Sequence, residues 1–342
     1  METYIDLLKR YYSKPEKWKY KDSGEFDMDV FECNKSDECK HFIITFFEDA
    51  KKADNNQLLK DIDNLTEDRQ RHIVYTFLLG IALYNECKYV KNLIDKEISI
   101  YKEALHNHKN HFAFVWFLIC LFHDLAYPIE EKNAANNFCC FDELRNKVKN
   151  YELKKLVGVP EYYQGMISKY FDYKRKIYKS HSCDHGICAG VFLYHDMCAI
   201  REHLLKVIKA GVKKYWQPDL IAVYQFAASI VSCHNIYIQP KNEDIPKYQH
   251  CGMSQLIHEK GERPIRLSDY PTFFLFCLVD TIEPTKRGNN ETNFNLECSN
   301  NSISFEIPDG LNNGNAIKSN FDSINNWLID VNQSKNKFTI KL

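Results

Sequence analysis

The chain has 342 residues, with 45 Lys and Arg against 46 Asp and Glu, and a formal net charge of −1. This balance argues against a protein that coats duplex DNA, because such proteins usually carry a basic excess. Hydrophobic residues make up 44% of the chain, which is ordinary for a globular protein and enough for a sizeable core.

The cysteines and the N-terminal segment indicate the cellular location of the protein. Thirteen cysteines stand at irregular spacings, with one adjacent pair, Cys139-Cys140, and no CxxC pair. Residues 1–12 lack the apolar core of a signal peptide, and the longest apolar runs are about half as long as a membrane span. We therefore predict reduced thiols, a cytoplasmic location and no membrane partner.

Helical patterning dominates from the start of the chain to about residue 285, so the predicted fold class is mainly α. After residue 290 the pattern changes, and a hairpin over 293–307, a helix over 316–331 and a strand over 337–342 are predicted. Before residue 290, apolar residues recur at helical spacing in segments 71–84, 111–122, 186–200, 219–235 and 267–283.

These patterns divide the chain into three parts. Residues 1–60 are a charged, helical lead-in, residues 61–290 a helical core domain, and residues 291–342 a small α/β appendix. Two polar stretches, 129–180 and 239–268, interrupt the core domain. Loops of that length are uncommon in a compact domain unless they bind a ligand or act as lids.

The apolar segment 112–122 ends in His123-Asp124, followed by Tyr127-Pro128. Neighbouring residues in a helix point about 100° apart, but at a helix end they can converge, and the residue before a proline leaves the helical region. We therefore expect the helix to bring His123 and Asp124 to one point and to stop at Pro128. A core His beside a helix-end Asp is the alternative.

Several other apolar helices also carry an isolated His or Asp. An unpaired charge such as Asp280 within an apolar run would cost several kcal/mol, so it needs a cation or hydrogen-bond donors. One explanation covers all of these positions, namely that they surround one or two metal ions. The positions are His72, His123-Asp124, Asp184-His185, His234 and Asp280.

In this order the residues resemble the HD-domain superfamily of metal-dependent phosphohydrolases. "FHDLAYP" is similar to the family's His-Asp pair followed by a small residue, and "DHGICAGVFL" and "FLFCLVDTIEPTKR" are similar to its later segments. The resemblance covers about residues 65–290 and implies an HD-type helical bundle. The Lys that often follows the pair is replaced by Tyr127, and the Gly-Tyr-Pro signature of the cyclic-di-GMP subfamily is absent.

The resemblance also implies residue roles. His72, His123, Asp124 and Asp280 would hold one metal, and His185 and His234 a second, with Asp124 bridging. Mn, Fe, Co, Ni or Zn fits these mixed donors better than Mg. Apart from the resemblance, Asp184 or a protonated His181 could assist the leaving group. Basic residues just before the ligand segment at 184–185 and after the Asp280 helix could bind phosphate, with solvated charge as the alternative; they are Lys174, Arg175, Lys179, Lys286 and Arg287.

Other histidines and a second His-Asp pair are not expected to bind metal. His195-Asp196 falls in the middle of a helix, and His106, His108 and His111 are expected to be solvated loop residues. His111 would lie about 18 Å along the helix axis from His123, too far to share a metal.

The predicted function is metal-dependent hydrolysis of a nucleotide or another phosphorylated small molecule through a metal-activated hydroxide, in a chain that could form a homo-oligomer. Two alternatives stay open. One is a nucleotide sensor that binds without turnover, and the other is an HD-fold oxygenase with a mixed-valence di-iron pair. The sequence does not separate hydrolase from oxygenase, because both use the same ligand order.

Overall fold

The computed structural model describes most of the chain, and the structural statements below concern that part. The described residues are 2–20, 26, 28–31, 36–46, 56–131, 138–147, 155–177, 182–207, 220–238, 240–259, 262, 264–284, 294–306, 331–334 and 337–342.

The described chain is mainly helical, as the sequence predicts. Short 3-10 helices cover Pro15–Lys17, Ser99–Tyr101, Glu161–Gly165 and Ser254–Leu256. The α-helices are α1 (Tyr4–Tyr12), α2 (Ser36–Phe46), α3 (Asn56–Asp63), α4 (Glu67–Glu86), α5 (Lys88–Ile98), α6 (His111–Phe122), α7 (Tyr127–Glu131), α8 (Phe141–Lys147), α9 (Ile167–Lys176), α10 (His185–Val207), α11 (Leu220–Cys233), α12 (Ile245–His250) and α13 (Pro271–Ile282).

Helix α6 lies at the centre of the core. It packs against α4 on one side and against α10 and α11 on others, and α4 in turn packs against α1, α2 and α13. Every residue from Phe112 to Phe122 is buried. A helix that is apolar all round needs neighbours on all its faces, which explains why this segment shows no polar stripe.

One described segment, His111–Glu130, is long and apolar enough by itself to cross a membrane. The apolar runs counted in the sequence did not indicate this. However, 83% of its 18-residue window is buried inside the protein. This burial is typical of the core helix of a soluble protein, and the cytoplasmic location stays a prediction.

The strands form an antiparallel sheet of order β1-β2-β3-β5-β4 within the described residues. Strands β2 and β3 make the predicted hairpin, with Asn295 opposite Glu306, and β3 pairs with the predicted last strand, Ser302 opposite Lys341. The strands are β1 (Glu2–Thr3), β2 (Asn295–Cys298), β3 (Ser302–Glu306), β4 (Val331–Ser334) and β5 (Lys337–Lys341).

The sheet contains two strands that the sequence did not indicate. β1, at the start of the expected helical lead-in, pairs with β2 through Glu2 and Leu296. β4 begins at Val331, where the predicted helix over 316–331 would have ended; the rest of that helix lies outside the described residues. The division into three domains stays a prediction.

The two polar stretches are not simple loops. The first contains α7, α8, a 3-10 helix and α9, and the second contains α12 and a 3-10 helix. The helix-end expectation at Pro128 is also wrong in detail. α6 already ends at Phe122, and Pro128 stands in the first turn of α7, where its missing N–H costs nothing.

Candidate metal centre

The end of α6 delivers His123 and Asp124 to a buried point between helices. The His123 backbone N–H donates to the Ile119 carbonyl at 3.1 Å, and the chain then turns through 123–126 before α7 begins. Both side chains are fully buried. At this helix end the two adjacent residues face one site, as predicted.

The first ligand group joins residues from α4, α6 and α13. Asp280 Oδ1 lies 3.1 Å from His72 Nε2 and 3.3 Å from His123 Nε2. Asp124 Oδ2 lies 4.0 Å from His72 Nε2. Three separate helices therefore bring two imidazoles and two carboxylates together.

The second group shares Asp124 with the first. Asp124 Oδ1 lies 3.7 Å from His185 Nε2, and His185 Nε2 lies 3.2 Å from His234 Nε2. His185 is the first residue of α10, and His234 directly follows α11. Two clusters of possible ligand atoms thus meet at one carboxylate, His72-His123-Asp124 and Asp124-His185-His234.

Two of the four imidazoles are held by backbone carbonyls. His123 Nδ1 lies 2.7 Å from the Cys120 carbonyl, and His234 Nδ1 lies 2.7 Å from the Val231 carbonyl. A carbonyl only accepts hydrogen bonds, so Nδ1 carries the proton in both rings. Their Nε2 atoms then present a lone pair.

The other two imidazoles are held by carboxylates. His72 Nδ1 lies 2.5 Å from Glu283 Oε2, and His185 Nδ1 bonds Glu130 Oε2. The sequence reasoning missed both glutamates. Glu283 is three residues beyond Asp280 at the end of α13, and this position was the one local signal that could have indicated it.

The short distances between facing Nε2 atoms determine what the site can bind. His72 and His123 Nε2 lie 3.2 Å apart, as do His185 and His234 Nε2. With protons on Nδ1, two lone pairs face each other in each pair, and this arrangement needs a proton or a metal ion between them. Metal-bound histidines characteristically donate Nδ1–H to a carbonyl or carboxylate in this way.

Charge in the first group favours a cation. Burial disfavours the charged form of His72, but hydrogen bonds to Asp280 and Glu283 outweigh burial and raise the pKa of His72 to about 9. Without a metal the cluster thus holds a proton at neutral pH. A divalent ion would have to displace that proton, so metal binding and pH are coupled.

Arg69 is a third residue that sequence reasoning missed. Its guanidinium lies 2.7 Å from Asp124 Oδ2 and 3.2 Å from the centre of the Tyr127 ring. On its other face the Tyr127 ring stacks on His185 at 3.8 Å. Arg69 stands one turn before His72 in α4. The local signal that could have indicated its role is a charged residue at the start of a buried apolar helix.

Asp184 has a structural role in addition to the predicted catalytic one. Its Oδ1 accepts from the Ile187 backbone N–H at 2.9 Å, and its Oδ2 accepts from Asn235 Nδ2 at 3.2 Å. It therefore caps α10 at the point where His185 begins. Burial raises the pKa of its carboxyl. The role in leaving-group protonation stays a prediction.

The predicted phosphate-binding residues are only partly described. Lys174 and Arg175 lie in the last turn of α9 and are both half-buried, and Lys174 lines a cavity that also includes His185. His181, Lys179, Lys286 and Arg287 lie outside the described residues.

The structure also shows where the residues lie that were not expected to bind metal. Asp196 is buried in the middle of α10, as expected for the second His-Asp pair. His106 is exposed, but His108 is buried between Tyr20 and Phe114, with ring centres 5.6 and 4.1 Å away. The expectation of a solvated residue is therefore wrong for His108, which lies in a loop but helps to pack the core. His111 is half-buried and is the first residue of α6.

The buried His and Asp groups could hold a metal ion. Comparison of the chain with protein-family models, curated proteins and solved structures finds no match.

Proposed function

We propose that the chain is a metal-dependent phosphohydrolase of the HD superfamily that acts on a nucleotide or a related phosphoester. The observation that supports this best is the convergence of four imidazole Nε2 atoms around Asp124, in two pairs each 3.2 Å apart. Because every Nδ1 is already bound to an acceptor oxygen, the site is preorganised for two divalent cations that share one carboxylate.

The donor set indicates the class of metal. Imidazole nitrogen and carboxylate oxygen together suit Mn, Fe, Co, Ni or Zn, whereas sites for Mg usually consist of oxygen alone. When bound, such ions lower the pKa of water towards neutrality and offset charge on phosphoryl oxygens.

The chain's own residues orient the ligands and supply the surroundings. Glu283 and Glu130 hold the rings of His72 and His185, and Arg69 donates a hydrogen bond to Asp124. The apolar body of α6 excludes water from behind the site, which strengthens electrostatic interactions in front of it.

A hydrolysis assay tests this proposal. We expect the protein, supplied with Mn²⁺, Co²⁺ or Ni²⁺, to hydrolyse p-nitrophenyl phosphate or bis(p-nitrophenyl) phosphate. His234→Gln should abolish this turnover, whereas His195→Gln, a change on the neighbouring helix outside the ligand groups, should preserve it. Equal loss in both variants would contradict the proposal.

The two alternatives give different results with the same protein. Tightly bound iron together with oxygen consumption, and no hydrolysis of either ester, would indicate the oxygenase. Nucleotide binding without turnover of any ester would indicate the sensor.

A further inference from the structure

Glu283, which holds the ring of His72, is itself held at its other oxygen. Its Oε2 accepts from His72 Nδ1 at 2.5 Å, and its Oε1 accepts from the Tyr4 hydroxyl at 2.9 Å. The Glu283 side chain is fully buried, and a buried carboxylate needs donors from within the protein. Because the two donors bind different oxygens, together they fix the plane of this carboxylate.

Tyr4 keeps the proton that it donates. Its side chain is fully buried, and burial together with the charge of Glu283 raises the pKa of its hydroxyl well above the usual value. At neutral pH the hydroxyl is therefore a donor to Glu283 Oε1. Hydrogen bonds to a charged acceptor are stronger than those between neutral groups, so this contact contributes to the orientation of Glu283.

The sheet formed by the two ends of the chain holds Tyr4 in turn. The Tyr4 backbone N–H donates to the Phe294 carbonyl at 2.8 Å, and the two rings stack with their centres 4.7 Å apart. The preceding residue, Thr3, pairs with Asn295 where β1 meets β2. The contact of Tyr4 with Glu283 therefore joins the terminal sheet to the first ligand group.

Another hydroxyl near His72 is a poorer candidate for holding its ring. Thr76 Oγ1 lies 3.5 Å from His72 Nδ1, at the outer limit of a hydrogen bond, whereas Glu283 Oε2 lies 2.5 Å away. The orientation of the His72 ring therefore depends mainly on Glu283, and through Glu283 on Tyr4.

We propose that Tyr4 is a positioning residue of the metal centre: its hydroxyl fixes the Glu283 carboxylate, which keeps His72 Nε2 directed at the other ligands of the first group. This inference rests on the proposed function and extends its metal centre to a residue outside the helical core. A hydroxyl also draws charge from the carboxylate, and that effect alone would weaken the bond between Glu283 and His72. The two effects predict opposite changes in metal affinity when the hydroxyl is removed.

Tyr4→Phe removes the hydroxyl and keeps the buried ring. In a competition titration of the full chain with a chelator, we expect the affinity for Zn²⁺ or Co²⁺ to fall about three- to tenfold. This is less than we expect for a change at Glu283, because the hydroxyl acts through one more side chain. Unchanged or higher affinity would overturn the inference and leave the phosphohydrolase proposal in place, since hydrolysis tests that proposal separately.

Tyr11→Phe is the matched control. Tyr11 is another buried tyrosine of α1, and its hydroxyl donates to Glu86 Oε1 at 2.6 Å. Glu86 ends α4 and lies about 21 Å along the helix axis from His72. Both variants lose a hydroxyl–carboxylate bond and should have a lower free energy of unfolding, but Tyr11→Phe should bind metal like wild type. An equal loss of affinity in both variants would assign the effect to stability and overturn the inference.

A double-mutant cycle shows whether Tyr4 acts through Glu283. Glu283→Met removes both acceptor oxygens, so adding Tyr4→Phe should lower metal affinity by less than about twofold. The same fall in both backgrounds would overturn the inference, because the hydroxyl would then act by another route. Metal binding that follows the expected pattern without hydrolysis of any ester would support the role of Tyr4 and contradict only the hydrolase proposal.

Discussion

Asp124 stands between His72 and His185, with Oδ2 4.0 Å from the Nε2 of the first and Oδ1 3.7 Å from the Nε2 of the second. One carboxylate thus faces both imidazole pairs, and its Oδ1 also lies 3.3 Å from His123 Nε2. Oδ2 also contacts Arg69 at 2.7 Å. In the absence of metal, the guanidinium therefore supplies positive charge to a fully buried anion.

The contact between Arg69 and Asp124 predicts a stability effect that depends on metal. Arg69→Gln leaves Asp124 buried without this cation and should destabilise the metal-free protein by about 3 kcal/mol. Saturating Mn²⁺ should reduce the loss, because the metal supplies the missing charge. Urea unfolding with and without metal measures both values, and an equal loss in the two conditions would contradict this account.

A glycine beside the second ligand group allows a selective test of that group. A Cβ at Gly186 would lie 2.7 Å from Cε1 and Nδ1 of His234, so Gly186→Ala should push this ring out of position. We expect bound metal to fall from about two ions per chain to about one, with the first group retained. Metal analysis after dialysis checks the count.

Gly165→Ala is the matched control for that experiment. A Cβ at Gly165 would have nothing within 4 Å, and this variant should bind metal like wild type. If both glycine variants lost the same amount of metal, backbone effects and not the His234 contact would be responsible.

The contact between Glu283 and His72 predicts that Glu283 strengthens metal binding. Glu283→Gln keeps the shape of the side chain but removes the charge that strengthens the bond to His72 Nδ1, 2.5 Å away. We expect metal affinity to fall about tenfold or more. A competition titration with a chelator measures it, and Glu97→Gln, a change at a half-buried glutamate outside the site, should have wild-type affinity.

Glu97 itself predicts a pH dependence of stability. Burial raises its pKa from 4.5 to about 7, although the Thr272 backbone N–H and hydroxyl both donate to it. The folded state therefore binds this proton more tightly than the unfolded state, and stability from this group falls as pH rises from about 4.5 to about 7. The total change is at most about 3 kcal/mol.

Glu97→Gln keeps an acceptor for Thr272 but cannot titrate. The free energy of unfolding of this variant should fall less between pH 4.5 and 7 than that of wild type. Parallel urea titrations at several pH values give the difference, and identical pH profiles would show that Glu97 does not titrate in this window.

The sequence predicted those parts of the site that local patterns mark. His123-Asp124 ends a wholly apolar segment, and Asp280 interrupts another, so both positions were visible without knowledge of the fold. Helix α6 was also predictable, because a long apolar run with no polar stripe has to be buried among other helices.

The missing parts depend on contacts between distant segments. Glu283 and His72 are 211 positions apart, and Glu130 and His185 are 55 positions apart, so no local pattern joins them. β1 consists of two residues and exists because β2 pairs with it from the other end of the chain. His108 seemed to belong to a polar loop, and only the packing of Tyr20 and Phe114 against it shows that it is buried.

The central claim is a metal centre built around Asp124, and counting bound metal tests it most directly. Elemental analysis of the dialysed protein, after incubation with Mn²⁺, Co²⁺, Ni²⁺ or Zn²⁺, should be made for wild type, Asp124→Asn and Asp196→Asn. The last variant changes the Asp of the other His-Asp pair, also buried, in the middle of α10.

We predict about two ions per chain in wild type and in Asp196→Asn, and loss of most of this metal in Asp124→Asn. Wild-type protein that binds none of these ions, or an Asp124→Asn variant that retains the full amount, would contradict the account.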